Sequence, residues 1–128
     1  MGIFDKIFGG ASDDDKQKVE IPWVKLTTVS QLDEAIEASK NKKVILFKHS
    51  TRCSISSSAM NKFTSKWSED TDAIPYYLDL IAYREVSNMI QEKFGVMHQS
   101  PQVIVLQDGK VIYDASHMAI NLDDIKAL

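Results

Sequence analysis

Residues 43–49, KVILFKH, form an almost uninterrupted apolar run of strand length. A strand of this kind has no solvated face, so it belongs inside a sheet that is covered on both sides. The rest of the chain must therefore supply two covers. Before the run, PWVKL (22–26) reads as a short strand and SQLDEAIEASKN (30–41) as a helix. In that helix Ser30 is the expected cap, Asp33 takes the capping-box position, and Leu32, Ala35 and Ile36 form the apolar face. After the run, Ile55, Ala59, Phe63 and Trp67 recur at four-residue steps and predict one buried helix face. PYYLDLI (75–81) is a second apolar strand. REVSNMIQEKFG (84–95) is a helix with Val86, Met89, Ile90 and Phe94 inward and Gly95 as its stop. PQVIVLQDGKVIYDA (101–115) is a hairpin that turns at Asp108–Gly109. NLDDIKAL (121–128) is a last short helix, capped by Asn121, with Leu122 and Ile125 inward. Strands that alternate with helices specify an α/β fold, and the closing hairpin makes the central sheet mixed.

A chain of 128 residues holds one core of this size. The expected domain is 21–128, preceded by an N-terminal segment, 1–20. In that segment Ile3, Phe4, Ile7 and Phe8 recur at helical spacing, Gly9 and Gly10 end the pattern, and ASDDDKQKVE reads as a polar linker. Two amphipathic turns bury too little apolar surface for firm membrane attachment, so any membrane contact through residues 1–10 is expected to be weak. The start does not read as a secretory signal, because Asp5 and Lys6 interrupt its apolar residues. Lys6 also breaks the myristoylation pattern that Gly2 opens. No apolar stretch approaches the roughly 20 residues of a membrane span. A net charge of −3 with no basic face argues against nucleic acid as a partner. The single cysteine excludes an internal disulfide and suits a reducing cytoplasm.

That cysteine, Cys53, stands in KHSTRCSISSSAM (48–60), between the apolar run and the following helix. A helix N-terminus favours the thiolate through its free N–H groups and its dipole, and sites of this type lower thiol pKa values from about 8.5 to roughly 3.5–7.5. Arg52 and Lys48 add positive charge nearby in sequence, and His49 is close as well. The flanking HSTRCSISSS is too polar for an inert, buried cysteine. A reactive thiol is the expectation.

A strand, a cysteine at a helix start, and a later hairpin opened by proline resemble the thioredoxin fold. The residues that carry this are VILFKHSTRCSIS (44–56) and MHQSPQVIVLQDGKVIYDASHMAI (97–120). The resemblance implies a cis peptide bond between Ser100 and Pro101, with the proline against the thiol and its backbone edge open to an extended substrate. Dithiol members of the fold carry Cys-x-x-Cys. Here the sequence is Cys53-Ser54-Ile55-Ser56, so there is no resolving thiol and the arrangement is monothiol. Phe47 also stands where thioredoxins have a buried aspartate. FKHSTRCSISS (47–57) is similar to the monothiol bacilliredoxin, or YtxJ-like, family, over residues from about 23 to 128. Members commonly have proline after the cysteine, where this chain has Ser54.

The family resemblance implies a thiol-disulfide oxidoreductase that removes bacillithiol, a small carboxylate-bearing thiol, from bacillithiolated client proteins. Bacillithiol would be the co-substrate, with no bound cofactor. Cys53 would be the nucleophile; Arg52, Lys48, His49, Ser54, Ile55, Ser56, Ser100 and Pro101 are the candidates for stabilising its thiolate or binding substrate. Two other classes stay open: a stress-linked binding module in which Cys53 is only modified, and a thiol-based oxidant sensor. The separations among His49, Cys53, His98 and His117 match no common zinc spacing, so no metal is expected. A cluster cofactor bridged between two chains through Cys53 is a further alternative.

Overall fold

A computed structural model of the protein describes residues 20–128. The expected amphipathic segment 1–10 and nearly all of the linker lie outside the described residues. The elements are β1 (Val24–Lys25), α1 (Val29–Ala38), β2 (Lys43–His49), α2 (Ser54–Ser65), β3 (Ala73–Asp79), α3 (Arg84–Phe94), β4 (Gln102–Gln107), β5 (Lys110–Ser116), a 3₁₀ turn (His117–Ala119) and α4 (Leu122–Lys126). The expected order of strands and helices holds, and the 3₁₀ turn is an addition to it.

The sheet runs β1-β3-β2-β4-β5. β2 pairs parallel with β3 and antiparallel with β4, so it occupies the centre of a mixed sheet. Val44, Ile45, Leu46 and Phe47 of β2 are all fully buried. Val44 and Leu46 point to one face, which is covered by Leu32 and Ala35 of α1 and by Val86 and Ile90 of α3. Ile45 and Phe47 point to the other, covered by Ala59 and Phe63 of α2 and by Leu122 and Ile125 of α4. Burying a side chain of this size contributes about 1.5–3 kcal/mol, which makes β2 the main anchor of both half-cores. On the α2 face Phe63 stacks on Trp23 at 5.8 Å and meets Phe47 edge-on at 5.1 Å. The hairpin turns at Asp108 (φ 55) and Gly109 (φ 74), and both backbone N–H groups there bond to Ser39 at the end of α1.

Local details depart from the sequence reading. Helix α1 starts two residues early: the cap is Thr28, not Ser30, and the box partner is Gln31, not Asp33. The Thr28 hydroxyl accepts from Gln31 N at 3.1 Å, and Gln31 Oε1 accepts from Thr28 N at 3.2 Å and Thr27 N at 2.7 Å. An amide that reaches two upstream N–H groups satisfies more orphan donors than the alternative start would. The PWVKL strand contracts to Val24–Lys25, an exposed edge on β3. On α2 the buried face is Ser56, Ala59 and Phe63, whereas Ile55 is 49% exposed. Trp67 is buried but lies beyond the end of that helix.

These caps separate by mutation. Thr28→Ala should lower the free energy of urea unfolding by about 1 kcal/mol, whereas Ser30→Ala should change it by less than about 0.5 kcal/mol.

Candidate active site

The C-terminal end of β2, the start of β4, the end of β5 and the start of α2 meet at one end of the sheet. Cys53 is the N-cap residue of α2, in extended conformation (φ −111, ψ 123), and its side chain makes no capping bond. Its backbone N–H donates to Ser50 O at 3.2 Å, and its carbonyl accepts from Ser57 N at 3.1 Å. The thiol is half-buried. The N–H groups of Ser54, Ile55 and Ser56 occupy the first turn, where a helix has no acceptors of its own for them, so the positive end of α2 lies beside the sulfur.

Ser56, three residues on, is fully buried. Its Oγ accepts from Ser50 N at 2.9 Å and lies 2.7 Å from His49 Nδ1. The hydroxyl thus ties the turn that carries the thiol to the end of β2. Burial pushes the His49 pKa down, with Asp79 pulling the other way by less, which favours the neutral ring. A neutral His49 whose Nδ1 accepts from Ser56, while Ser56 accepts from Ser50, satisfies all three groups. The expectation that Ser56 serves the thiolate therefore meets a hydroxyl already engaged on two sides.

Ser100–Pro101 is a cis peptide, as the fold resemblance implied. The Pro101 carbonyl accepts from His117 N at 3.0 Å. Ser100 Oγ is enclosed and finds no hydrogen-bond partner among the described residues. Native proteins rarely leave such a hydroxyl unpaired. Arg52 and Ser54 are exposed, and Ile55 is largely so, all adjoining the thiol.

Lys48 departs from its expected place. It is in phase with Val44 and Leu46, so it points to the α1/α3 face, away from α2 and the thiol. It is fully buried, and Nζ donates to Gln102 Oε1 at 2.8 Å. Gln102 in turn donates through Nε2 to Met97 O at 3.0 Å. Burial, with a smaller contribution from Arg84, pushes the Lys48 pKa down to about 8. A surface contact to substrate is not its role in this arrangement. The sequence reading also missed Gln102. The available signal was a lysine inside an apolar strand, which requires a polar partner on the neighbouring strand. Asp79, opposite His49 in the parallel register, was missed as well; its carboxylate accepts from Ile81 N and Ala82 N. His98 sits apart, with Nδ1 3.3 Å from Ser87 Oγ. Among the described residues no group of three or more His, Cys, Asp or Glu gathers as a metal site.

A family model described as monothiol bacilliredoxin BrxC matches residues 24–125. The chain belongs to the monothiol bacilliredoxin family. A solved structure described as a candidate oxidoreductase with a thioredoxin fold is 31% identical, with a TM-score of 0.73, covering 82% of this chain and 91% of that one. The thioredoxin of Fasciola hepatica is similar at 17% identity and a TM-score of 0.62, covering 80% of this chain and 93% of its own. Mitochondrial thioredoxin 3 of Saccharomyces cerevisiae matches at 16% identity and a TM-score of 0.64, covering 81% and 91%. The last two likenesses show the fold. Together with the family they make this bacilliredoxin a thiol redox protein of thioredoxin fold.

Two outcomes follow from the buried polar groups. Ser56→Ala strands the Ser50 N–H and His49 Nδ1, and should cost about 1–3 kcal/mol in chemical denaturation. For Lys48 the folded pKa lies below the unfolded value of 10.5, so between about pH 8 and 10.5 the unfolded chain holds a proton that the folded chain lacks. Stability should therefore rise with pH across that window, by up to about 3 kcal/mol. Above about pH 10 the raised pKa values of Tyr76, Tyr77 and Tyr113 act in the opposite direction. Lys48→Met should be more stable than wild type at pH 7 and should flatten the rise between pH 8 and 10, as read by urea unfolding at each pH.

Proposed function

We propose that this protein removes bacillithiol from S-bacillithiolated client proteins by thiol-disulfide exchange at Cys53. The observation that carries the reading is the third position after the thiol: Ser56 stands there, its hydroxyl held by His49 and Ser50. The chain contains no other cysteine, so whatever disulfide Cys53 forms must be resolved by an external thiol. That stoichiometry suits a low-molecular-weight thiol as co-substrate, and the family match supports bacillithiol as that thiol.

In the first step the Cys53 thiolate attacks the bacillithiol sulfur of the mixed disulfide. A sulfur–sulfur bond forms to Cys53, the client–bacillithiol bond breaks, and the client sulfur leaves with the electron pair as a thiolate. In the second, an external thiolate attacks the adduct and Cys53 leaves as thiolate. The α2 N-terminus and exposed Arg52 would receive a carboxylate of the small thiol. The backbone before Pro101 offers hydrogen bonds to an extended client segment. No cofactor is needed for either step. A cytoplasmic location fits a lone thiol that depends on a reducing pool; among the described residues no helix is long and apolar enough to cross a membrane.

The test is release of bacillithiol from a bacillithiolated protein, followed by mass spectrometry, with wild type, Cys53→Ala and a glutathionylated control. The expected outcome is release through a Cys53–bacillithiol adduct, abolished in Cys53→Ala and slower with glutathione. Equal rates with both small thiols would keep the exchange activity and remove the substrate preference. Neither release nor adduct would overturn the enzyme and leave a protein whose thiol is only modified.

A further inference from the structure

His117 is one of only two non-glycine residues with positive φ among those described, at 56°. The other, Asp108, sits in the hairpin turn, where the turn type demands that conformation. Nothing comparable requires a histidine at position 117. Glycine would adopt the same backbone without steric penalty, and asparagine and histidine with less of one than most other residues. A ring placed where glycine would suffice turns attention to what the side chain meets.

The surroundings say where. The backbone of His117 is fixed on both sides, its N–H on Pro101 O at 3.0 Å and its carbonyl accepting from Ile120 N at 3.4 Å. Its neighbour Ser116 pairs with Gln102, directly after Pro101. The 3₁₀ turn that it opens packs on α2, and Met118 O accepts from Lys62 Nζ of that helix at 3.4 Å. His117 therefore stands at the end of the sheet that carries Pro101 and the start of α2. Its side chain is exposed and hydrogen-bonds no described residue, so it stabilises nothing visible in the fold. The exposed Arg52 and the positive end of α2 lie at this same end of the sheet.

We infer that the His117 imidazole is a substrate-contact residue, donating a hydrogen bond to an anionic group, of carboxylate type, on the small-thiol half of the disulfide that reacts with Cys53. The juxtaposition of a fixed, positive-φ backbone beside Pro101 with a free, exposed imidazole carries this assignment. It rests on the thiol-exchange reading above, and it names which protein group reads the small thiol.

The test uses His117→Gly, which suits the backbone and removes the imidazole, and His117→Asn, which tolerates the backbone and keeps an N–H donor. Each is compared with wild type in bacillithiol release and in exchange with a neutral mixed disulfide of 2-mercaptoethanol on the same test protein. Cys53 alkylation by iodoacetate and by iodoacetamide is measured in parallel. Thermal midpoints report folding. The expected result for His117→Gly is an undiminished thermal midpoint and bacillithiol release slowed roughly tenfold or more, the loss of one hydrogen bond to a charged group. The neutral disulfide should change less than twofold, the iodoacetate-to-iodoacetamide rate ratio should fall several-fold, and His117→Asn should recover part of both losses. Equal slowing with charged and neutral reagents, or no slowing in either, would overturn the assignment while leaving the exchange activity in place. Should wild type release no bacillithiol, the functional reading fails and the alkylation ratio alone decides the role of His117.

Discussion

The hydroxyl of Ser56 holds the reactive end of this molecule together. It sits at the bottom of the first turn of α2, fully enclosed, and joins that turn to Ser50 N and His49 Nδ1. Through it the thiol-bearing turn is registered against β2, the strand in which four consecutive apolar residues anchor both half-cores. The position of Cys53 is thus tied to the central strand of the sheet by way of one oxygen. A second sulfur at that place would be larger and a weaker hydrogen-bond partner. The serine that removes resolving chemistry from the site also gives it a fixed floor.

The two faces of β2 carry opposite solutions to the same problem, a polar side chain in a buried strand. His49, on the α2 face, is pushed toward its neutral form by burial and hydrogen-bonded beside the active turn. Lys48, on the α1/α3 face, keeps its ammonium group inside with one amide for company, Gln102, which in turn grips the chain at Met97. This second arrangement links β2 to the loop that leads to Pro101. The lysine ties the loop before β4 to the central strand at the cost of a buried charge.

The fold was legible in the sequence because its signals were periodic or local: the apolar run of β2, the heptad-like spacing of α3, Gly95 in the left-handed conformation at its end, the Asp108–Gly109 turn and the Asn121 cap. The cysteine at a helix start was equally readable. What escaped were choices made by tertiary contacts. Thr28 outcompeted Ser30 because Gln31 could reach back to two N–H groups. Ile55 turned outward because the hydroxyl of Ser56 had partners waiting beneath it. The side taken by Lys48 depends on which face α2 covers, and a single strand's alternation does not say. His117 had no signal at all, since its distinguishing property is a backbone angle.

The absence of a second thiol sets the order of any exchange between Cys53 and a small thiol. A dithiol that closes its own ring exchanges two small thiols for one small disulfide, so at a fixed ratio of reduced to oxidised small thiol it becomes more reduced as the whole pool grows. A chain with Cys53 and Ser56 exchanges one for one. Its fractional loading then follows that ratio alone and is indifferent to dilution or concentration of the pool. Replacing sulfur by oxygen at a single buried position changes the order of such an equilibrium, and with it the quantity that would set its position.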